Sequence, residues 1–260
     1  MSTGTISIER HDPIGYVVLD NPARRNAVSG AMWRALPAAI ASLNDDPAIR
    51  CIVLRGAGDI AFAAGADISE FEGHRSNEAT VQAYEAATSA AHNALESSPK
   101  PVIAQIQGFC LGGGLALSLS CDLRYCSADS QFAIPAARLG IGYGLHGHRR
   151  LVASVGHANA REIMFSARRY DAASAQALGL VNRVLPVAEL ADYVRALAGD
   201  LAANAPLTQA ASKAVINALI ENTHNFSACE ALITRCMQSA DYREGRTAFM
   251  EKRKPRFEGR

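Results

Sequence analysis

The chain has 260 residues, of which 49% are hydrophobic and 20% charged, so it can form one large domain with a buried core. Its 26 Lys and Arg against 25 Asp and Glu leave a formal net charge of +1, which argues against nucleic acid as the main partner. The longest apolar stretch, about residues 108–119, is glycine-rich and shorter than the roughly 20 residues that a membrane helix needs. The N-terminus has no signal-peptide pattern, so we predict a soluble, cytoplasmic protein without a membrane partner.

The chain has six cysteines and seven histidines, the residue types that most often bind metals or take part in redox chemistry. The cysteines lie mostly in apolar surroundings and form no Cys-x-x-Cys pair, which favours reduced thiols in the core. His146 and His148 form the one close histidine pair, without acidic or cysteine neighbours at ligand spacing. We therefore predict no metal site.

Short apolar runs alternate with helical patterns in the first part of the chain. Residues 29–43 form a helical run that contains Pro37, where we expect a kink or a restart. Residues 78–95 keep one apolar helical face. The runs that predict buried strands are Cys51–Arg55, Pro101–Ile106 and Leu123–Cys126. This alternation predicts an α/β fold with crossover connections.

The pattern becomes purely helical after about residue 186. Residues 190–201 carry one apolar stripe, Pro206 begins a second helix, and residues 228–237 supply a third. We therefore divide the chain into a core, residues 1–186, and a C-terminal helical region, residues 187–260.

Glycine-rich segments cover residues 61–68, 108–117 and 139–147. Gly113 stands where a helix begins, so its NH is an unpaired donor with the positive end of the helix dipole behind it. Together with an NH from the Ala66 loop, it predicts a two-donor site for a developing oxyanion. The alternative is that these glycines only allow tight turns and close packing.

The third glycine-rich segment also fits the Gly-x-Gly-x-x-Gly pattern of dinucleotide sites, with Glu162 twenty residues after Gly142. No strand leads directly into the pattern, and Glu162 falls in a helical stretch. We therefore predict no dinucleotide site.

Five segments, in order, resemble the crotonase family, also called the enoyl-CoA hydratase/isomerase family. They are residues 21–26, 61–67, 108–114, 179–183 and 249–255. The resemblance implies a spiral of ββα repeats with a C-terminal helical trimerisation region, assembled as a homotrimer or a dimer of trimers. It also implies an acyl-CoA substrate whose thioester oxygen meets the NH groups of Ala66 and Gly113. No separate cofactor is then needed, because coenzyme A is part of the substrate.

The chain departs from the family's hydratases at the acid/base positions. Hydratases of the family carry two glutamates, which would fall at Ala116 and Ala136 here. A third position, where some isomerases and dehalogenases have an aspartate, is Gly144. Since none of these residues titrates, ordinary hydratase chemistry is not expected.

The run of residues 132–145 resembles the methylmalonyl-CoA decarboxylase branch of the family, which has a pocket tyrosine where Tyr143 falls. The C-terminal residues 241–255 also resemble that branch. This chain departs from the branch at two positions. Decarboxylases of the branch can have a histidine where this chain has Ala66 and a glutamate where it has Ala116. Decarboxylation needs no general base, because loss of CO2 itself generates the enolate.

The resemblance also implies contacts with coenzyme A. Phe249 and Lys252 would lie near the adenine and the 3′-phosphate, and Arg24 or Arg25 near the other phosphates. Ala64 and Ala66 would lie at the adenine edge. Asp67 and Ile68, from the same part of the sequence, are the remaining residues assigned to coenzyme A.

Three functions follow from these observations. The first is decarboxylation of a malonyl-type acyl-CoA through an enolate. The second is hydration or isomerisation of an enoyl-CoA with another acid/base residue, such as His146, Tyr143 or Asp67. The third is a catalytically silent acyl-CoA-binding scaffold that keeps the oxyanion donors.

Overall fold

The computed structural model describes residues 4–67, 70 and 78–260. The strands are β1 (Thr5–His11), β2 (Ile14–Asp20), β3 (Cys51–Gly56), β4 (Ala61–Ala63), β5 (Val102–Ile106), β6 (Phe109–Leu111), β7 (Leu123–Ser127), β8 (Gln131–Ala133), β9 (Tyr170–Asp171) and β10 (Arg183–Leu185). The helices are α1 (Gly30–Asn44), α2 (Glu78–Ser97), α3 (Gly113–Leu119), α4 (Ala136–Leu139), α5 (Leu145–Ser166), α6 (Ala172–Leu178), α7 (Val187–Ala203), α8 (Pro206–Ile220), α9 (Ser227–Gln238) and α10 (Ala240–Met250). A 3₁₀ turn covers Pro22–Arg24.

The strands form two sheets, and the chain alternates between them. The larger sheet has the order β1-β2-β3-β5-β7-β10, in which β1 and β2 are antiparallel and the other neighbours are parallel. The smaller sheet has the order β4-β6-β8-β9, with only β9 antiparallel to its neighbour. The pairs β3–β4, β5–β6 and β7–β8 each place one strand in each sheet and are followed by α2, α3 and α4. This is the ββα repeat that the resemblance implies.

Both faces of the larger sheet are buried. In β3, Ile52 and Leu54 face a core shared with α1 and α2, whereas Cys51 and Val53 face a second core against α7. Successive side chains of a strand point to opposite faces, so a strand buried on both faces is a continuous apolar run. This is why the apolar runs predict strands. The observed β3, β5 and β7 confirm the three predicted strands within one or two residues.

The expected restart at Pro37 is wrong, because α1 is one helix from Gly30 to Asn44. The alternative of a kink at Pro37 stays a prediction. Proline removes one NH from the helix, but α1 is anchored by a buried stripe of apolar side chains. Its N-terminus is also capped, since the Ser29 hydroxyl accepts a hydrogen bond from the Met32 NH.

The C-terminal part is helical, as predicted, with one helix more than the sequence pattern indicated. α8 begins at Pro206 and α9 covers the third predicted segment, but α10 was not anticipated. The first of these helices, α7, packs on the larger sheet through Leu190, Val194 and Ala198. The proposed division at residue 186/187 stays a prediction.

All six cysteines are free, and five of them are buried. In the described part of the chain, no group of three or more His, Cys, Asp or Glu side chains could hold a metal ion. Across those same residues, no helix is both long and apolar enough to cross a membrane.

Candidate active site

Two loops bring the predicted oxyanion donors together, and the first is the loop after β4. Val28 fixes it by a parallel bridge, in which the Val28 NH donates to Gly65 O (2.8 Å) and the Asp67 NH donates to Val28 O (3.0 Å). Alternate residues of an extended segment point their NH groups in opposite directions. The NH of Ala66 therefore points away from Val28, and no acceptor for it is found among the described residues.

The second loop joins β6 to α3. Gly112 has a φ of 49°, in the left-handed region that glycine tolerates, and its NH donates to Ala133 O of β8 (2.8 Å). The chain then turns directly into α3, so the Gly113 NH belongs to the first helical turn and has no partner within the helix.

The next glycine brings α3 close to β4. A methyl group on Gly114 would lie 2.4 Å from Ala63 O, so no larger residue fits there. A methyl group on Gly113 would lie 3.3 Å from the Ala66 nitrogen and 3.3 Å from Cζ2 of Trp33. The backbones of Ala66 and Gly113 therefore adjoin a common space, which is the arrangement needed to hold one oxygen atom between two NH donors.

The positions at which family hydratases have glutamates lie in short helices without carboxylates. Ala116 is buried in α3 and Ala136 is buried at the start of α4, and neither helix contains Asp or Glu. Gly144 directly precedes α5, where a methyl group would meet nothing within 4 Å. General acid/base catalysis by a carboxylate is therefore not available from these three positions.

Tyr143 lies beside the oxyanion loop. Its hydroxyl donates a hydrogen bond to Gly112 O (3.4 Å), the carbonyl of the peptide that contains the Gly113 NH. Its ring packs so closely on α5 that a methyl group on Gly147 would lie 2.4 Å from the ring. Burial raises the pKa of the Tyr143 phenol, so the side chain is a neutral hydrogen-bond donor at pH 7.

His146 and Asp67, the other acid/base candidates, have charged partners. Nε2 of His146 lies 2.8 Å from Oε1 of Glu96. Both carboxylate oxygens of Asp67 lie 2.6 Å from Nη1 of Arg24. Neither residue forms a hydrogen bond with Gly113 or Ala66 in the described part of the structure.

The residues assigned to coenzyme A are distributed over two regions. Arg24 pairs with Asp67 in the first loop, while the Arg25 guanidinium lies 5.0 Å from the centre of the Phe109 ring. The Ala64 NH donates to Arg25 O (2.9 Å), so these loop residues are close together. Ile68 lies outside the described residues.

Phe249 lies in the last turn of α10, and Lys252 lies two residues beyond its end. The Phe249 side chain is 83% exposed, and Lys252 is an exposed residue with a φ of 58°. No hydrogen bond or ion pair joins them to the Ala64–Asp67 loop among the described residues.

Sequence reasoning missed a polar cluster beneath α3. Its members are buried or half-buried side chains from α2, the end of α3 and α5, namely His92, Glu96, Ser120, His146 and Arg150. One signal was available, since His92 and Glu96 are spaced four residues apart beside the apolar stripe of α2. His146 and Arg150 have the same spacing, which puts each pair on one helix face.

The chain is similar to known proteins along nearly its whole length. Residues 9–260 match the family model described as enoyl-CoA hydratase/isomerase. Crotonyl-CoA hydratase of Syntrophomonas wolfei is 32% identical over 259 residues, covering 99% of both chains.

Solved structures give the same result for the fold. An enoyl-CoA hydratase/carnitine racemase from Magnetospirillum magneticum has a TM-score of 0.94 at 37% identity, covering 100% of this chain and 97% of its own. Enoyl-CoA hydratase from Bacillus anthracis has a TM-score of 0.89 at 30% identity, covering 98% of this chain and 100% of its own. The predicted fold is confirmed, and the chain belongs to the enoyl-CoA hydratase/isomerase family.

Proposed function

We propose that the protein decarboxylates a malonyl-type acyl-CoA through an enolate held by the NH groups of Ala66 and Gly113. The bond between the α carbon and the carboxylate breaks, CO2 leaves, and the electron pair remains on the α carbon and the thioester oxygen. The enolate then takes up one proton at the α carbon. Donors aligned on an oxygen that gains negative charge contribute about 10²–10³ each in rate.

One observation carries this proposal, namely that the two NH groups adjoin one space while both hydratase glutamate positions are alanine. Hydration requires a group to activate water and a group to deliver a proton. Decarboxylation requires neither to start, since the leaving CO2 supplies the electron pair. The residues that remain are therefore sufficient for this reaction.

Tyr143 is proposed to serve the substrate carboxylate or the product carbon. Its phenol is neutral at pH 7, because burial raises its pKa. A neutral phenol can donate a hydrogen bond to the carboxylate or a proton to the enolate carbon, and solvent then restores the proton. Its position next to the Gly112–Gly113 peptide supports such a role.

The coenzyme A contacts and the assembly are part of the same proposal. Arg24 or Arg25 would meet the phosphates, and Ala64 and Ala66 the adenine edge. Asp67 and Ile68 are proposed as further contacts of coenzyme A. Phe249 and Lys252 would reach the adenine and 3′-phosphate from a neighbouring subunit of a homotrimer or a dimer of trimers.

Enoyl-CoA hydration is the second candidate, because the relatives reported above carry hydratase names. It would need an acid/base group outside the two alanine positions. His146 lies against Glu96 and Asp67 against Arg24, so each would have to act beside a charged side chain that it already contacts.

A substrate panel separates these functions. We expect the purified protein to release CO2 from methylmalonyl-CoA or malonyl-CoA and to hydrate crotonyl-CoA far more slowly. We also expect Tyr143→Phe to reduce decarboxylation at least about tenfold with a nearly unchanged affinity for coenzyme A.

The matched control is Tyr193→Phe, whose hydroxyl accepts a hydrogen bond from Arg183 (3.3 Å) and is not part of the site. Hydration of crotonyl-CoA at ordinary enzymatic rates would overturn the proposal. Binding of all these thioesters without turnover would instead support the silent scaffold.

A further inference from the structure

The polar cluster beneath α3 joins three helices. On α2, His92 Nδ1 lies 2.9 Å from the Ser120 hydroxyl oxygen. On α5, His146 Nε2 lies 3.4 Å from the same hydroxyl, and the rings of His92 and His146 stack with centres 4.7 Å apart. Ser120, directly after α3, also donates to Ala116 O (3.2 Å). The cluster therefore lies one helical turn below the position of the first absent glutamate.

Glu96 is the charged centre of the cluster. Its Oε2 accepts a hydrogen bond from Arg150 and lies 3.9 Å from Arg149. Its Oε1 lies 2.8 Å from Nε2 of His146. The two atoms are close, but their geometry is not that of an aligned hydrogen bond. Burial raises the pKa of Glu96, but its close contacts with His146 and Arg150 outweigh burial and hold that pKa below its usual value. Glu96 is therefore a carboxylate at neutral pH.

Three other polar residues surround Glu96 and its arginine partners. From α8, the Asn217 amide donates to Glu96 O (2.9 Å) and its oxygen accepts from Arg150 (3.1 Å). Glu221 lies 3.6 Å from Arg149, so Arg149 has two acidic neighbours, Glu96 and Glu221. Burial, together with His146, lowers the pKa of His92 to about 3, so His92 is neutral. Thus Glu96 is the anion that His146 faces.

The beginning of α5 has few other anchors. Leu145, its first residue, is 85% exposed, and the N-cap residue Gly144 has no side chain with which to cap the helix. A methyl group on Gly142 or Gly144 would meet nothing within 4 Å, so these two positions of the preceding loop add no packing contact. Of this first turn, His146 is the residue that reaches α2.

Tyr143 connects this turn to the candidate active site. Its ring packs on Gly147 in the first turn of α5, and its hydroxyl donates to Gly112 O. A displacement of the first turn would therefore move the phenol relative to the Gly112–Gly113 peptide.

We propose that Glu96, His146 and Ser120 are positioning residues that hold the first turn of α5 against α2 and α3, and thereby hold Tyr143 at the oxyanion peptide. They do not touch the substrate. The catalytic part of this inference rests on the role proposed above for Tyr143, whereas the structural part does not.

The test uses Glu96→Gln, which keeps the shape of the side chain and removes its charge. We expect faster amide hydrogen exchange in peptides covering residues 143–148 and a kcat at least about threefold lower, with an unchanged affinity for free coenzyme A. The matched control is Asp122→Asn, which breaks another ion pair, to Lys213 (2.8 Å), without touching α5. It should leave both exchange in this segment and kcat unchanged.

A double-mutant cycle with Tyr143→Phe tests the coupling. Glu96→Gln should lower kcat much less in the Tyr143→Phe background, because the group it positions is already gone. Unchanged exchange at residues 143–148 in Glu96→Gln would overturn the inference, and so would additive effects on kcat. If no thioester is turned over, the exchange result alone decides the structural part, and only the proposed function fails.

Discussion

At the scale of single residues, the candidate site depends on the absence of a side chain at Gly113. A methyl group there would lie 3.3 Å from the Ala66 nitrogen and enter the space between the two donors. We expect Gly113→Ala to lower kcat at least about tenfold, because the reacting oxygen would be displaced from both NH groups. Steady-state kinetics measure the effect, and thermal unfolding shows whether the fold survives.

The control for this variant is Gly199→Ala in α7, where a methyl group would meet nothing within 4 Å. It should keep the kcat of the wild type and be slightly more stable, since alanine is the better helix former. A Gly113→Ala protein with undiminished kcat would contradict the assignment of this donor.

The two alanines at the glutamate positions allow an experiment that should add an activity rather than remove one. Glutamate at both Ala116 and Ala136 would supply the acid/base pair that family hydratases use. We expect crotonyl-CoA hydration to rise measurably above that of the parent, since such groups contribute roughly 10²–10⁴ in rate. Both sites are buried, so a loss of stability is also expected.

Glutamine at the same two positions is the matched control, because it has the same shape and cannot titrate. Equal hydration by the parent and by the double-glutamate variant would mean that another residue already supplies the acid/base function.

At the scale of secondary-structure elements, the contact of α2 with α3 and α5 gives the protein a dependence on pH. His92 is neutral in the folded protein, because burial and His146 lower its pKa to about 3. In the unfolded chain its pKa is about 6.5, so only the unfolded state gains a proton as the pH falls below that value. The stability that His92 contributes is thus present above pH 6.5 and lost progressively below it.

Between pH 7.5 and 5.0 we expect this group to lower the free energy of unfolding by about 2 kcal/mol. Urea unfolding at the two pH values measures it, with the fluorescence of Trp33, the single tryptophan, as the signal. His92→Gln should reduce the pH dependence by about that amount, and His11→Gln, on an exposed side chain, should not. An unchanged dependence in His92→Gln would refute the explanation.

At the scale of the whole molecule, the C-terminal helices carry an uncovered apolar surface. A cleft of about 1120 Å³ lies between α8, α9 and α10, and the side chains of Ile216 and Met237 that line it are 56% and 57% exposed. Monomeric proteins rarely expose large apolar patches, which are typical of interfaces. This surface supports the proposed homotrimer or dimer of trimers.

Light scattering should therefore give a mass of three or six chains, and Ile216→Glu with Met237→Glu should shift it toward the single chain. Val187→Glu, at an exposed apolar position at the start of α7, is the control and should leave the mass unchanged. A wild-type protein that is monomeric at micromolar concentration would rule out this assembly.

Local patterns were sufficient for most of the fold. The strands β3, β5 and β7 were legible because a strand buried on both faces is an unbroken apolar run, and Pro206 marks a helix start for stereochemical reasons. The helix does not restart at Pro37, because packing of α1 on the core outweighs the loss of one hydrogen bond. The helix α10 is not indicated by the sequence pattern, since few of its residues are apolar.

The sequence by itself determined the fold class, the free cysteines and, through its resemblance to the crotonases, the family. It also determined which acids are missing, since an alanine cannot titrate in any fold. Only the tertiary structure decided that Ala66 and Gly113 adjoin one space, that Tyr143 reaches the Gly112 carbonyl, and that Glu96 and His146 meet. These groups lie 31 to 50 residues apart in the chain, and contacts between distant segments follow from how helices and sheets pack rather than from any local pattern of residues.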